Sequence, residues 1–134
     1  MRVVILKNED EASNFTAEFI EKSIIEKENA VLGLATGSSV LLTYNALIKK
    51  YQSDSLSFKN VTTFNLDEYV GLSQGHEKSY RSYMNNKLFN HIDIDKKNTF
   101  IPECLNKDYE LCCENYESKI KSIGGIDLQL LGLG

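Results

Sequence analysis

The chain has 134 residues, 42% of them apolar and 25% charged, the proportions of an ordinary globular domain long enough to bury a core. A net charge of −4 with no basic cluster argues against nucleic acid and anionic membrane surfaces as partners. The apolar runs fall well short of the roughly 20 residues of a membrane span, and acidic residues follow the N-terminal MRVVIL too soon for a signal peptide, so a cytoplasmic protein is expected.

Strand and helix signals alternate along the chain. Residues 2–6 (RVVIL) read as a buried strand, and residues 9–27 as a helix with Phe15, Phe19, Ile20 and Ile24 on its apolar stripe. Residues 30–35 (AVLGLA) are a second strand, followed by TGSS and a helix over 40–51 with Leu41, Tyr44, Leu47 and Ile48 on one side. A third strand over 61–66 leads into a glycine-containing loop from 67 to about 77 and a helix over 79–91. A short strand over 99–101 stops at Pro102, and a helix over 109–122 places Cys112, Tyr116 and Ile120 on one side. Gly124–Gly125 terminates that helix, and residues 126–133 form a last, almost wholly apolar strand.

Strands separated by helices of this length predict βαβ units. The expected fold is therefore one α/β domain over residues 1–134, an open, Rossmann-like parallel sheet with helices on both faces. Right-handed crossovers would bring TGSS, DEYVGL and the terminal LGLG to one edge, where ligands of such sheets bind.

Three cysteines, Cys104, Cys112 and Cys113, give an odd count without CxxC spacing, and a bridge between the adjacent pair would be strained. Reduced thiols are the expectation. His76 and His91, fifteen positions apart, have no ligand-spaced companion, so no metal site is expected.

Two segments carry chemistry. Thr36, Gly37, Ser38 and Ser39 follow a buried strand and open a helix, where free N–H groups, the helix dipole and three hydroxyls suit phosphate oxygens. The segment matches neither the Walker A pattern nor the three-glycine dinucleotide fingerprint, and helix capping by Ser38 or Ser39 is the other reading. Asp67 and Glu68 leave a strand end in different directions, so at most one faces the crevice as a general base. The other reading is a loop acid capping the following segment. Asn65, two positions earlier, is placed to supply a hydrogen bond. His76 reads as a lid contact or a solvated loop histidine, and Tyr69, Tyr80, Tyr83, Met84 and Phe89 read as core packing with some subunit contact.

Taken together, LGLATGSS, TYNAL at 43–47, TFNLDEYVGL at 63–72, Ser79-Tyr80, Tyr83-Met84, FNHIDI at 89–94 and the terminal IDLQLLGLG resemble the glucosamine-6-phosphate deaminase (isomerase) family across essentially the whole chain. The resemblance implies conversion of glucosamine 6-phosphate and water to fructose 6-phosphate and ammonia, with no metal and no organic cofactor. It implies that Asp67 moves the proton between C1 and C2, and that Thr36, Gly37, Ser38 and Ser39 hold the 6-phosphate. Ala35 and Ser38 stand where the family commonly has proline and glycine. The chain stops at Gly134, before the family's ring-opening histidine loop and its basic phosphate clamp, so the expectation is the N-terminal part of a family member, its sheet truncated on the C-terminal side and inactive alone. Full-length relatives are expected to be homo-oligomers. A non-catalytic sugar-phosphate-binding module and a 6-phosphogluconolactonase-like hydrolase are the alternatives, the latter disfavoured by Tyr69 where lactonases tend to have arginine.

Overall fold

The computed structural model describes residues 1–104 and 108–132. In chain order it contains α1 (Glu9–Glu26), β1 (Val31–Leu34), α2 (Leu41–Gln52), β2 (Thr62–Asn65), α3 (Tyr80–Lys87), β3 (Thr99–Phe100), α4 (Tyr109–Ser122) and β4 (Leu128–Gln129). The strands form one parallel sheet in the order β3-β2-β1-β4. From β1 the chain steps outward through β2 to β3, then returns across the sheet to lay β4 on the other side of β1. That reversal makes the C-terminal ends of β1 and β4 the switch point of the sheet.

Register explains how the two faces are filled. Side chains alternate along a strand. Leu32 and Leu34 point into a core shared with Ala17, Ile20, Tyr44, Leu47 and Met84, all buried. Gly33 pairs with Phe64, whose ring packs 5.0 Å from Phe100 and 5.6 Å from Tyr116 of α4. The α1–α2 layer and α4 therefore cover opposite faces, as expected. Gly33 also makes room: a Cβ there would lie 1.9 Å from the Gln129 side chain of β4.

Local chemistry sets the element ends. Asn8 caps α1 by accepting from the Glu11 N–H at 2.9 Å, with Glu9, Asp10 and Glu11 in the first turn where the helix dipole favours acids. Asp108 caps α4 through the Leu111 N–H. Gly124 and Gly125 end α4 at φ 93° and 91°, their N–H groups returning to the Lys121 and Ile120 carbonyls. Asp127 then accepts from Lys27 Nζ at 2.8 Å and from the Val31 N–H at 2.8 Å, which ties the start of β4 to the turn between α1 and β1.

Several expectations need correction. Residues 2–6 are not a strand; Val3 and Ile5 are 70% and 92% exposed, because no described strand lies alongside to pair with this apolar run. The buried stripe of α1 is Ser13, Ala17, Ile20 and Ile24. Phe15 is half-buried and Phe19 exposed, their rings in edge contact 5.1 Å apart. The two phenylalanines flank a small apolar cavity of about 160 Å³ that reaches Leu128 and Leu130. The last strand is shorter and less buried than residues 126–133 suggested: β4 is half-exposed, Leu131 is exposed, and Leu133 and Gly134 lie outside the described residues.

The expectation of reduced thiols is also overturned. Cys104 and Cys112 form a disulfide with Cα atoms 5.7 Å apart, and Cys113 is free and exposed. Cys104 precedes the helix and returns to its first turn, a proximity that spacing alone did not reveal.

Candidate active site

The loop after β1 is held from two sides. The Tyr44 hydroxyl, buried on α2, donates to the Ala35 carbonyl, and the Tyr83 hydroxyl of α3 donates to the Gly37 carbonyl at 2.6 Å. Between these anchors Gly37 adopts φ 105°, a left-handed conformation that side chains resist, and nothing lies within 4 Å of where its Cβ would be. Ser38–Val40 form a tight 3₁₀ turn that runs into α2. Neither the turn nor α2 has a side-chain cap, so capping by Ser38 or Ser39 is not the role of these hydroxyls. Gly37, Ser38 and Ser39 are exposed and Thr36 is half-buried at the sheet edge.

The end of β4 reaches the same place. A Cβ on Gly132 would sit 2.5 Å from Ser39 Oγ, so the chain leaving β4 passes directly against this loop.

The two acids after β2 separate as the strand geometry demands. Glu68 turns back onto α3, accepting from the Tyr80 N–H at 2.8 Å and the Arg81 N–H at 3.1 Å, as well as from the Tyr69 N–H at 2.9 Å. Together with Ser79, whose hydroxyl accepts from the Ser82 N–H, it satisfies the free donors of that helix end. The capping reading therefore belongs to Glu68. Asp67 is exposed at the edge, on the wall of a cavity of about 350 Å³ between residues 66–72 and α4. Pro102, Cys104, Cys112 and Tyr116 line its other side.

Tyr80 links the two segments. Its hydroxyl is raised above the ordinary phenol range, first by a hydrogen bond with Tyr69 and then by burial. A hydrogen bond with Thr36 opposes these effects, and the Asp67 charge adds to them. The rings of Tyr69 and Tyr80 lie 4.7 Å apart. Thr36 and Asp67 follow the C-terminal ends of the paired strands β1 and β2, and both act on the Tyr80 hydroxyl. Met84 and Phe89 are core residues and Tyr83 packs against that core, whereas Tyr69 is exposed and Tyr80 half-buried at this edge. The i, i+3 spacing of Tyr80 and Tyr83 was the available signal, since it puts both on one side of a helix.

Asn65 is 2% exposed, and neither polar atom of its side chain has a hydrogen-bond partner among the described residues. Its carbonyl accepts from the Tyr116 hydroxyl at 2.8 Å, and the same hydroxyl reaches the Phe100 carbonyl at 3.1 Å. His76 is exposed, its Nδ1 accepting from the Lys78 N–H, and His91 pairs with the Asn86 carbonyl. No group of three His, Cys, Asp or Glu that could hold a metal ion exists among the described residues. No helix among them is long and apolar enough to cross a membrane.

A parallel α/β sheet whose C-terminal edge carries a hydroxyl-rich loop and a carboxylate has the architecture of an open α/β fold that binds ligands beyond its strand ends. Residues 7–134 match the family described as glucosamine-6-phosphate isomerases/6-phosphogluconolactonase, and the chain belongs to that family. Within it, the chain is 50% identical over 134 residues to a glucosamine-6-phosphate deaminase of Clostridium perfringens (strain 13 / Type A), covering 100% of this chain and 55% of that protein. Among solved structures, a monomeric glucosamine-6-phosphate deaminase superposes with a TM-score of 0.96 at 45% identity, over 100% of this chain and 56% of its own. A 6-phosphogluconolactonase from Thermotoga maritima gives a TM-score of 0.78 at 25% identity, over 98% and 59%. The chain therefore spans little more than half the length of the relatives it matches.

Proposed function

We propose that these residues are the N-terminal part of a cytoplasmic glucosamine-6-phosphate deaminase, acting on a sugar phosphate rather than on nucleic acid. Asp67 is the base that carries a proton between C1 and C2, and Thr36, Gly37, Ser38 and Ser39 receive the 6-phosphate. The observation that carries this reading is that the Thr36–Ser39 loop and Asp67 leave the same ends of the paired strands β1 and β2, in a chain half identical to deaminases over its whole length. Asp67 is exposed on a cavity wall while Glu68 is committed to α3, which leaves Asp67 as the carboxylate that a substrate meets. The weaker likeness to the lactonase makes hydrolysis of a lactone the lesser reading.

The test has two arms. Glucosamine 6-phosphate titrated into the 134-residue chain is expected to shift the amide resonances of residues 36–39, and an unperturbed spectrum would remove the phosphate assignment. In the protein that carries these residues, Asp67→Asn is expected to lower ammonia release from glucosamine 6-phosphate by about a hundred- to ten-thousand-fold. Undiminished release would remove the base assignment.

A further inference from the structure

We propose that the Cys104–Cys112 disulfide is a reducible clasp on the cavity wall beside Asp67, opened by thiol–disulfide exchange with a dithiol. The bond joins the segment that leaves β3 to the first turn of α4, across a sequence separation of 8. Both cysteines are half-buried and both line the cavity of about 350 Å³, so a dithiol entering the cavity meets them.

The rest of α4 is fastened independently. One turn beyond Cys112, the Tyr116 hydroxyl bonds to the Asn65 and Phe100 carbonyls, and its ring packs on Phe64. Further along, Lys119 Nζ lies 3.9 Å above the Phe100 ring. In the first turn Tyr109 and Leu111 are 43% and 44% exposed, and none of the α4 residues is buried. Opening the clasp removes the covalent tie between Cys104 and the half-exposed first turn, while the Tyr116 turn keeps its bonds to the sheet.

In the exchange, a thiolate of the dithiol attacks one sulfur of the pair, breaking the protein S–S bond and forming a mixed disulfide. The second thiol of the reagent displaces the protein sulfur. Two electrons pass from reagent to protein, the reagent leaves as a disulfide, and its two protons end on Cys104 and Cys112. Cys113, exposed and next in sequence, is a free thiol lining the same cavity. In a reducing compartment a disulfide of this kind is transient rather than a permanent brace. The inference is independent of the reaction assigned to Asp67.

The test equilibrates the 134-residue chain with mixtures of oxidised and reduced dithiothreitol, followed by alkylation and amide hydrogen exchange. The expectation is one alkylated cysteine, Cys113, at the oxidising end and all three at the reducing end, with the change reversible. Exchange should quicken in the first turn of α4 and not in the Tyr116 turn. Cys113→Ser should go from none to two alkylated sites, and the double variant Cys104→Ser, Cys112→Ser should exchange fast at either end. Three alkylated cysteines at the oxidising end, a pair that includes Cys113, or exchange that is unchanged or quickened throughout the chain on reduction would each overturn the proposal.

Discussion

The Tyr83 hydroxyl donates to the Gly37 carbonyl at 2.6 Å, so a side chain of α3 sets the position of the loop that follows β1. Tyr83 is half-buried, and burial raises its phenol above the ordinary range, which keeps the donor protonated. Tyr83→Phe removes the bond while keeping the ring. It should lower stability by about 1 kcal/mol, read as a shift in urea midpoint at constant slope.

Gly37→Ala should cost about 1–2 kcal/mol through the backbone alone, since φ is 105° and the space for a Cβ is open. Gly37→Asn should fare no better, because φ 105° with ψ 176° lies outside the left-handed helical well that asparagine tolerates. Denaturation midpoints of the two variants, compared side by side, check this; equal midpoints for Ala and wild type would contradict it.

The neighbouring acids should respond oppositely. Glu68→Gln weakens three charge-assisted bonds to backbone N–H groups, at Tyr69, Tyr80 and Arg81, and should destabilise the chain by about 1 kcal/mol. Asp67→Asn alters an exposed side chain and should leave the denaturation midpoint where it is while lowering the activity proposed above. A midpoint shift for Asp67 as large as that for Glu68 would show that the two share the structural role.

Asp127 supplies a pH dependence. Its bonds with Lys27 and with the Val31 N–H hold its carboxyl below the ordinary aspartate value of 3.8. A folded-state pKa below the unfolded value means that the contribution is present in full above 3.8 and is lost as pH falls through the folded value. The difference in urea midpoint between wild type and Asp127→Asn should therefore be constant from neutral pH to about 5 and shrink below 4.

Which features the sequence disclosed follows from the range of the interactions that fix them. Helix α4 was legible to the residue because both of its ends are coded locally, Asp108 before it and Gly124–Gly125 after it. Residues 2–6 carry a strand's composition, but a strand needs a neighbour, and no periodicity states whether one is at hand. The stripe of α1 was read correctly at Ile20 and Ile24 and misread at Phe15 and Phe19, because apolar size was taken as the guide. The close approach of α2 instead selects the small Ser13 and Ala17 and leaves the bulkier Phe15 and Phe19 on the flank. At the site, the hydroxyl-rich loop and the acid pair were visible as residue types at strand ends. The division of labour between Asp67 and Glu68 was not, because it depends on α3 twelve residues further on. The pairing of Cys104 with Cys112 was hidden for the same reason.

The two tyrosines that grip the loop after β1 have an effect beyond rigidity. A carbonyl lone pair repels any anion it faces, and the backbone offers one such group per residue. On either side of Thr36, at Ala35 and Gly37, that group is already engaged by a phenol from Tyr44 or Tyr83. Two of the loop's acceptors are thus taken up by phenol donors. For the phosphate proposed above this removes two repulsive carbonyls from the loop, and replacing either phenol would release one of them as well as slacken the turn.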